Sequence, residues 1–106
     1  MLYVGIDTHL EMHELVMVNE NAEIVWSGRV GNNRIGFQEL LAKLKTIEKS
    51  RNDKIIGMYA NPTGNYHMPV SHFLRKSGYD VHEVNPILTS SISNAMNMRK
   101  NKSGQG

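Results

Sequence analysis

The chain of 106 residues contains no cysteine, which excludes a thiol nucleophile, a cysteine-ligated metal and a disulfide framework together. It contains no apolar run near the about 18 residues that a membrane span needs. Its opening stretch, MLYVGIDTHL, carries Asp7 and lacks the basic start of a secretory leader. A cytoplasmic protein without a membrane partner is therefore expected. Internal repeats and low-complexity tracts are absent as well. Acid is missing from residues 85–106, which hold Arg99, Lys100 and Lys102, while residues 1–84 hold nine basic against ten acidic side chains. The formal charge of +2 is thus a near-neutral body joined to a +3 tail. What is present, 40% hydrophobic and 21% charged residues, suits one globular domain. A chain of this length buries roughly two-thirds of its unfolded surface and folds without staples.

The apolar run Leu2 to Ile6 stops at Asp7, as expected of a central strand with a carboxylate at its C-terminal end. Glu14 to Asn19 and Glu23 to Val30 predict two more strands joined by the Asn19-Glu20-Asn21-Ala22 turn. Asn32 or Asn33 is placed to cap a helix running through Glu48, with Phe37, Leu40, Leu41, Leu44 and Ile47 at helical spacing. Lys54 to Ala60 predicts a fourth strand, and Asn61-Pro62-Thr63-Gly64 a turn. A second helix is expected from about Asn65 to Ser77, with Pro69 in or near its first turn and Gly78 as its left-handed stop. Tyr79 to Val84 predicts the fifth strand, and Ile87 to Met98 at most a weak helix. Right-handed crossovers then give an α/β fold with a mixed five-stranded sheet of order 3-2-1-4-5 and helices packed on it. In such a sheet strands 1 and 4 run parallel, bringing Asp7 and the Tyr59-Ala60-Asn61 stretch to one edge, where open α/β sheets carry their chemistry.

Several motifs sharpen this. Val4-Gly5-Ile6-Asp7, then Ile56-Gly57-Met58 followed by Pro62-Thr63-Gly64-Asn65-Tyr66-His67, then Ser77-Gly78-Tyr79-Asp80-Val81 leading into Val84-Asn85-Pro86, resemble the N-terminal domain of the DEDD (RuvC-like) insertion-sequence transposases. The resemblance covers nearly the whole chain, and the Pro-Thr-Gly-x-Tyr turn followed by Gly-Tyr-x-Val is far more specific than a lone Gly-Ile-Asp. It implies a ribonuclease H-like domain over residues 1–86 and a basic segment over residues 87–106, cut from a longer transposase. It also implies Mg²⁺ or Mn²⁺ as cofactor, DNA and a bridge-type guide RNA as partners, and a homo-oligomer.

Four acids hold the metals in that family, where two cations align an in-line phosphoryl transfer. Asp7 matches the first acid and is the expected metal ligand. The second, a Glu before the Pro-Thr-Gly turn, falls on Asn61, or on Tyr59 if the register is counted from Gly57-Met58. The third falls on Gly104, and the fourth would fall at position 107, beyond the sequence. A single carboxylate cannot offset the repulsion of two divalent cations, so the expectation is that this chain alone neither cleaves nor joins DNA. Arg99, Lys100 and Lys102 are the expected nucleic-acid contacts, set against the simpler reading of a solvated arm.

Blander readings stand beside these. Asp7 can simply cap a turn or pair with a nearby His. His9 and His13, four residues apart, form a ligand pair only on a helix, and their segment reads as loop into strand. Free N–H groups at Asn65 and Tyr66 suit a phosphate, but Thr63 as a plain cap explains them too. Two other classes remain open: a non-catalytic nucleic-acid-binding or oligomerisation module descended from the transposases, and half of a sugar-kinase-like ATPase. The second needs a glycine-rich phosphate loop, and Thr8 to Glu14 contains no glycine.

Overall fold

The computed structural model describes residues 1–62 and 69–84. They form β1 (Leu2–Asp7), β2 (Met12–Asn19), β3 (Ile24–Gly31), α1 (Arg34–Arg51), β4 (Ile55–Ala60), α2 (Val70–Lys76) and β5 (Val81–Glu83). The strands make one sheet of order β3-β2-β1-β4-β5, the order expected from the sequence. β1 to β3 form an antiparallel meander, while β1–β4 and β4–β5 are parallel, so the mixed sheet follows from two hairpins and two crossovers.

Period-2 alternation divides the sheet into two faces. The register sets Val4 against Met17 and Met58, and Ile6 against Leu15 and Ala60, and all of these are buried. Phe37, Leu40 and Leu44 of α1 close over this face, and each of them stabilises the fold by about 2 kcal/mol through burial. Phe37 also meets Phe73 of α2 with ring centroids 5.4 Å apart, joining the two helices over the core. Gly5, Asp7, Glu14, Val16, Tyr59 and His82 fall on the opposite face by the same register.

Asn33 caps α1, its side chain accepting from the Gly36 N–H at 2.8 Å. The helix runs past Glu48 to Arg51, because Lys49 and Arg51 suit the negative end of its dipole and Asn52 takes the left-handed conformation that ends it. Gly36 is buried where α1 meets β3: a Cβ there would collide with the Gly31 backbone, whose carbonyl carbon and nitrogen would both lie at 2.9 Å. β2 begins two residues earlier than expected, because His13 joins the ladder opposite Val30. β5 is shorter than expected, since Tyr79 leaves the strand direction to bury its ring and donate its hydroxyl to Glu48 at 2.7 Å. Burial, then the Glu48 carboxylate, pushes that phenol well above its ordinary range. Pro69 stands at the N-cap of α2, so the helix begins at Val70; the expected earlier turn, with Thr63, Asn65, Tyr66 and His67, lies outside the described residues. Gly78 has φ of +99°, the positive value its role as a stop requires.

Candidate functional site

Ile6 pairs with Ala60 across the parallel β1–β4 ladder, so the next residues, Asp7 and Asn61, emerge at the same sheet edge. The two positions that the sequence singled out are therefore neighbours. Asn61 does not present its amide oxygen to solvent. That oxygen accepts from the Thr8 N–H at 2.8 Å and from the Thr8 hydroxyl at 2.6 Å. A carbonyl oxygen has two lone pairs, and Thr8 takes both. Thr8 is buried, and the two hydrogen bonds clasp the end of β1 to the end of β4.

Asp7 has a side chain 15% exposed, with the His9 Nε2 lying 3.2 Å from its Oδ2. Glu14 is the cross-strand partner of Asp7, but its carboxylate is matched by Arg29 at 3.8 Å. His9, Glu11, Met12, Glu14 and Arg29 line an open groove of about 370 Å³ beside this pair. Tyr59, the other position considered for the second acid, pairs with Gly5 two residues short of the edge and stacks on His82 with centroids 5.5 Å apart. Its hydroxyl sits back over Gly57, where an added Cβ would meet it at 2.9 Å.

The Thr8 to Glu11 loop is held from below by His13. This ring is fully buried and stacks on Phe37 at 6.1 Å. Its Nδ1 accepts from the His9 N–H at 3.2 Å, which places the ring proton on Nε2, facing the Asn32 Oδ1 at 3.0 Å. Asn32 in turn donates its side-chain amide to the Leu10 carbonyl and its backbone N–H to the Glu11 carbonyl, both at 2.8 Å. Burial lowers the His13 pKa, against the smaller upward pull of Asn32. His13 is thus a neutral strut for the loop that carries His9, with one ring nitrogen facing the His9 N–H and the other the Asn32 amide oxygen. Among the described residues no cluster of three His, Cys, Asp or Glu side chains could hold a metal ion. The sequence signal for His13 was its alternation with Leu15 and Met17, which puts it on the inward face. Thr8 carried no such signal. Arg99, Lys100, Lys102 and Gly104 lie outside the described residues.

The meander, the parallel β1–β4 pair and the acid at their shared edge define a mixed-sheet α/β protein of the ribonuclease H-like arrangement. A transposase family profile, the IS110-type DEDD transposases, matches residues 4–105, and the chain belongs to that family. Among curated proteins none matches. Among solved structures, the chain is similar to a ROK family glucokinase from Streptomyces griseus, in complex with glucose and AMPPNP, with a TM-score of 0.53 and 12% identity. That match covers 80% of this chain and 33% of the glucokinase. A sugar-kinase candidate from Cytophaga hutchinsonii gives a TM-score of 0.50 and 15% identity, over 78% of this chain and 36% of that one. The chain therefore spans about a third of the length of these structures, and at such identities the likeness is one of fold alone. No helix among the described residues is long and apolar enough to cross a membrane.

Proposed function

We propose that this chain serves DNA transposition as a RuvC-like domain that holds nucleic acid without cleaving or joining it. The observation that carries this reading is the Asn61 clasp. Where the family resemblance calls for a Glu, the side chain is neutral and its oxygen is filled by two Thr8 donors. Asp7 at that edge has His9 against one of its oxygens, and Glu14 across the strand is matched by Arg29. Two divalent cations a few ångströms apart repel strongly, and sites that hold them surround them with several negative oxygens. Among the described residues, the donor set around Asp7 does not fit a Mg²⁺ or Mn²⁺ pair.

Binding falls to the phosphate backbone, with Arg99, Lys100 and Lys102 neutralising phosphates of DNA and, in the wider reading, of a guide RNA. A homo-oligomer and a cytoplasmic setting belong to the same reading and rest on family membership. The neutral Asn61 is equally what a nucleic-acid-binding or oligomerisation module descended from the family would carry.

The test is binding of a labelled DNA duplex by fluorescence anisotropy across a salt series. Each phosphate neutralised contributes about 0.9 to the log–log salt slope, so replacing Arg99, Lys100 and Lys102 with Ala lowers the slope by about 2.7. Equal slopes for wild type and triple variant would refute the assigned contacts, and a chain with no affinity for DNA would refute the reading.

A further inference from the structure

We propose that the groove between α1 and α2 is a second nucleic-acid surface, binding the phosphodiester backbone of a strand laid along α1 on the helix-covered side of the sheet. The inference rests on the reading that the chain binds nucleic acid, and adds a site away from both Asp7 and the basic tail.

Arg34, Gln38, Lys45 and Lys49 recur along α1 at intervals of four, seven and four residues, close to whole turns, so they form one exposed row. His72, Phe73 and Lys76 of α2 face the start of that row across a groove of about 210 Å³ lined with Arg34 and Gln38. None of Arg34, Lys49 and Lys76 forms an ion pair among the described residues. Lys45 lies 4.7 Å over the Tyr79 ring, which steadies its stem.

The carboxylates of this region are hydrogen-bonded, ion-paired or turned aside. Glu48 accepts from the Tyr79 hydroxyl at 2.7 Å and from the Ile55 N–H at 3.0 Å. Asp53 pairs with the N-terminal ammonium at 2.8 Å. Glu39 is five residues from Arg34, about 140° round the helix. Arg34, Lys45 and Lys49 thus outnumber the carboxylates beside them, Glu48 and the ion-paired Asp53, and the row is net positive on a body whose overall balance is slightly negative.

A linear polyanion fits this better than a protein partner does. Among the described residues the exposed large apolar side chains are Met1, Leu10, Met12, Ile35 and Ile56, and none lines the groove; Phe73, half-buried against Phe37, is its one apolar lining residue, a smaller apolar centre than a protein interface uses. Around that ring the groove offers a guanidinium for bidentate phosphate contact, an amide, an imidazole and an ammonium. From Arg34 to Lys49 the row runs about 22 Å, enough to follow roughly six nucleotides at 3.4 Å each.

The experiment uses the full chain, a 24-nucleotide single-stranded RNA and a 24-base-pair DNA duplex, with anisotropy read from 50 to 200 mM salt. The variant is R34Q/K45Q/K76Q, which keeps side-chain bulk at exposed positions, and R34E/K76E serves as a charge reversal. The expected result is a slope reduced by about 2 for the RNA or about 2.7 for the duplex. For the duplex this removes about 40-fold of the wild-type salt sensitivity over that range. Loss of RNA binding alone identifies the strand as RNA, and loss of duplex binding alone as DNA. Unchanged slopes for both probes in both groove variants, with the tail variant still impaired, would overturn the groove and leave the proposed function standing. Absence of wild-type binding to either probe would overturn both. Displacement by poly-glutamate as readily as by nucleic acid would assign the groove to an acidic protein segment and overturn the proposal.

Discussion

Replacing Asn61 with Ala is predicted to loosen the junction of β1 and β4 by about 2–3 kcal/mol. The structure supplies the terms. The substitution deletes one acceptor and strands two donors, the Thr8 N–H and the Thr8 hydroxyl, on a residue only 5% exposed. A net hydrogen bond contributes about 1 kcal/mol, and a buried donor left unpaired costs about 1–3 kcal/mol. Thr8→Val removes only the hydroxyl bond and should cost about 1 kcal/mol. In the double variant no hydroxyl remains to be stranded, so the two changes should be sub-additive by about 1 kcal/mol. Urea unfolding followed by the fluorescence of Trp26, the single tryptophan, measures all four corners of this cycle. On a domain of this size a loss of 2 kcal/mol also lowers the melting temperature by about 10 °C. An Asn61→Ala variant within about 0.5 kcal/mol of wild type, or strict additivity of the two single changes, would refute the clasp.

Three further outcomes follow from the same geometry. His13 has its pKa lowered by burial, so the unfolded chain takes up a proton more readily than the folded one. Its contribution to stability is therefore whole above the unfolded value of about 6.5 and is lost as pH falls toward the folded value, by at most about 1.4 kcal/mol per pH unit. His13→Phe should flatten that part of the stability–pH curve, and an unaltered curve would contradict the neutral strut. Gly36→Ala should cost about 2 kcal/mol in chemical denaturation despite the better helix propensity of Ala, because the added methyl meets the Gly31 backbone; a stabilised variant would contradict the close approach. Asn33→Ala should cost about 1 kcal/mol through loss of the Gly36 cap, measured the same way.

Much of the fold was legible because its signals are local. The run from Leu2 to Asp7 marks the central strand, and the stripe of Phe37, Leu40 and Leu44 marks the helix that covers it. With those placed, short connections and crossover handedness leave little choice of strand order. The departures come from contacts between distant residues. Tyr79 shortens β5 because its phenol reaches Glu48, thirty-one residues away in sequence, and no local pattern announces that bond. The candidate site divides in the same way. Asp7 and Asn61 could be placed at one edge, since parallel pairing of β1 and β4 follows from the order of elements. Which way the Asn61 amide turns could not be read, because it depends on Thr8, fifty-three residues earlier. Alternation with Leu15 and Met17 puts His13 on the inward face, but its partners, Asn32 and the His9 N–H, follow only from the fold.

Incubation of the purified chain with supercoiled DNA in Mg²⁺ and in Mn²⁺, scored for nicked and linear product, tests the central claim most directly. With Asn61 clasped to Thr8 and no metal-holding cluster of acids among the described residues, wild type and Asp7→Asn should both leave the DNA intact beyond the buffer control. Metal-dependent nicking or joining by wild type, abolished in Asp7→Asn, would contradict it.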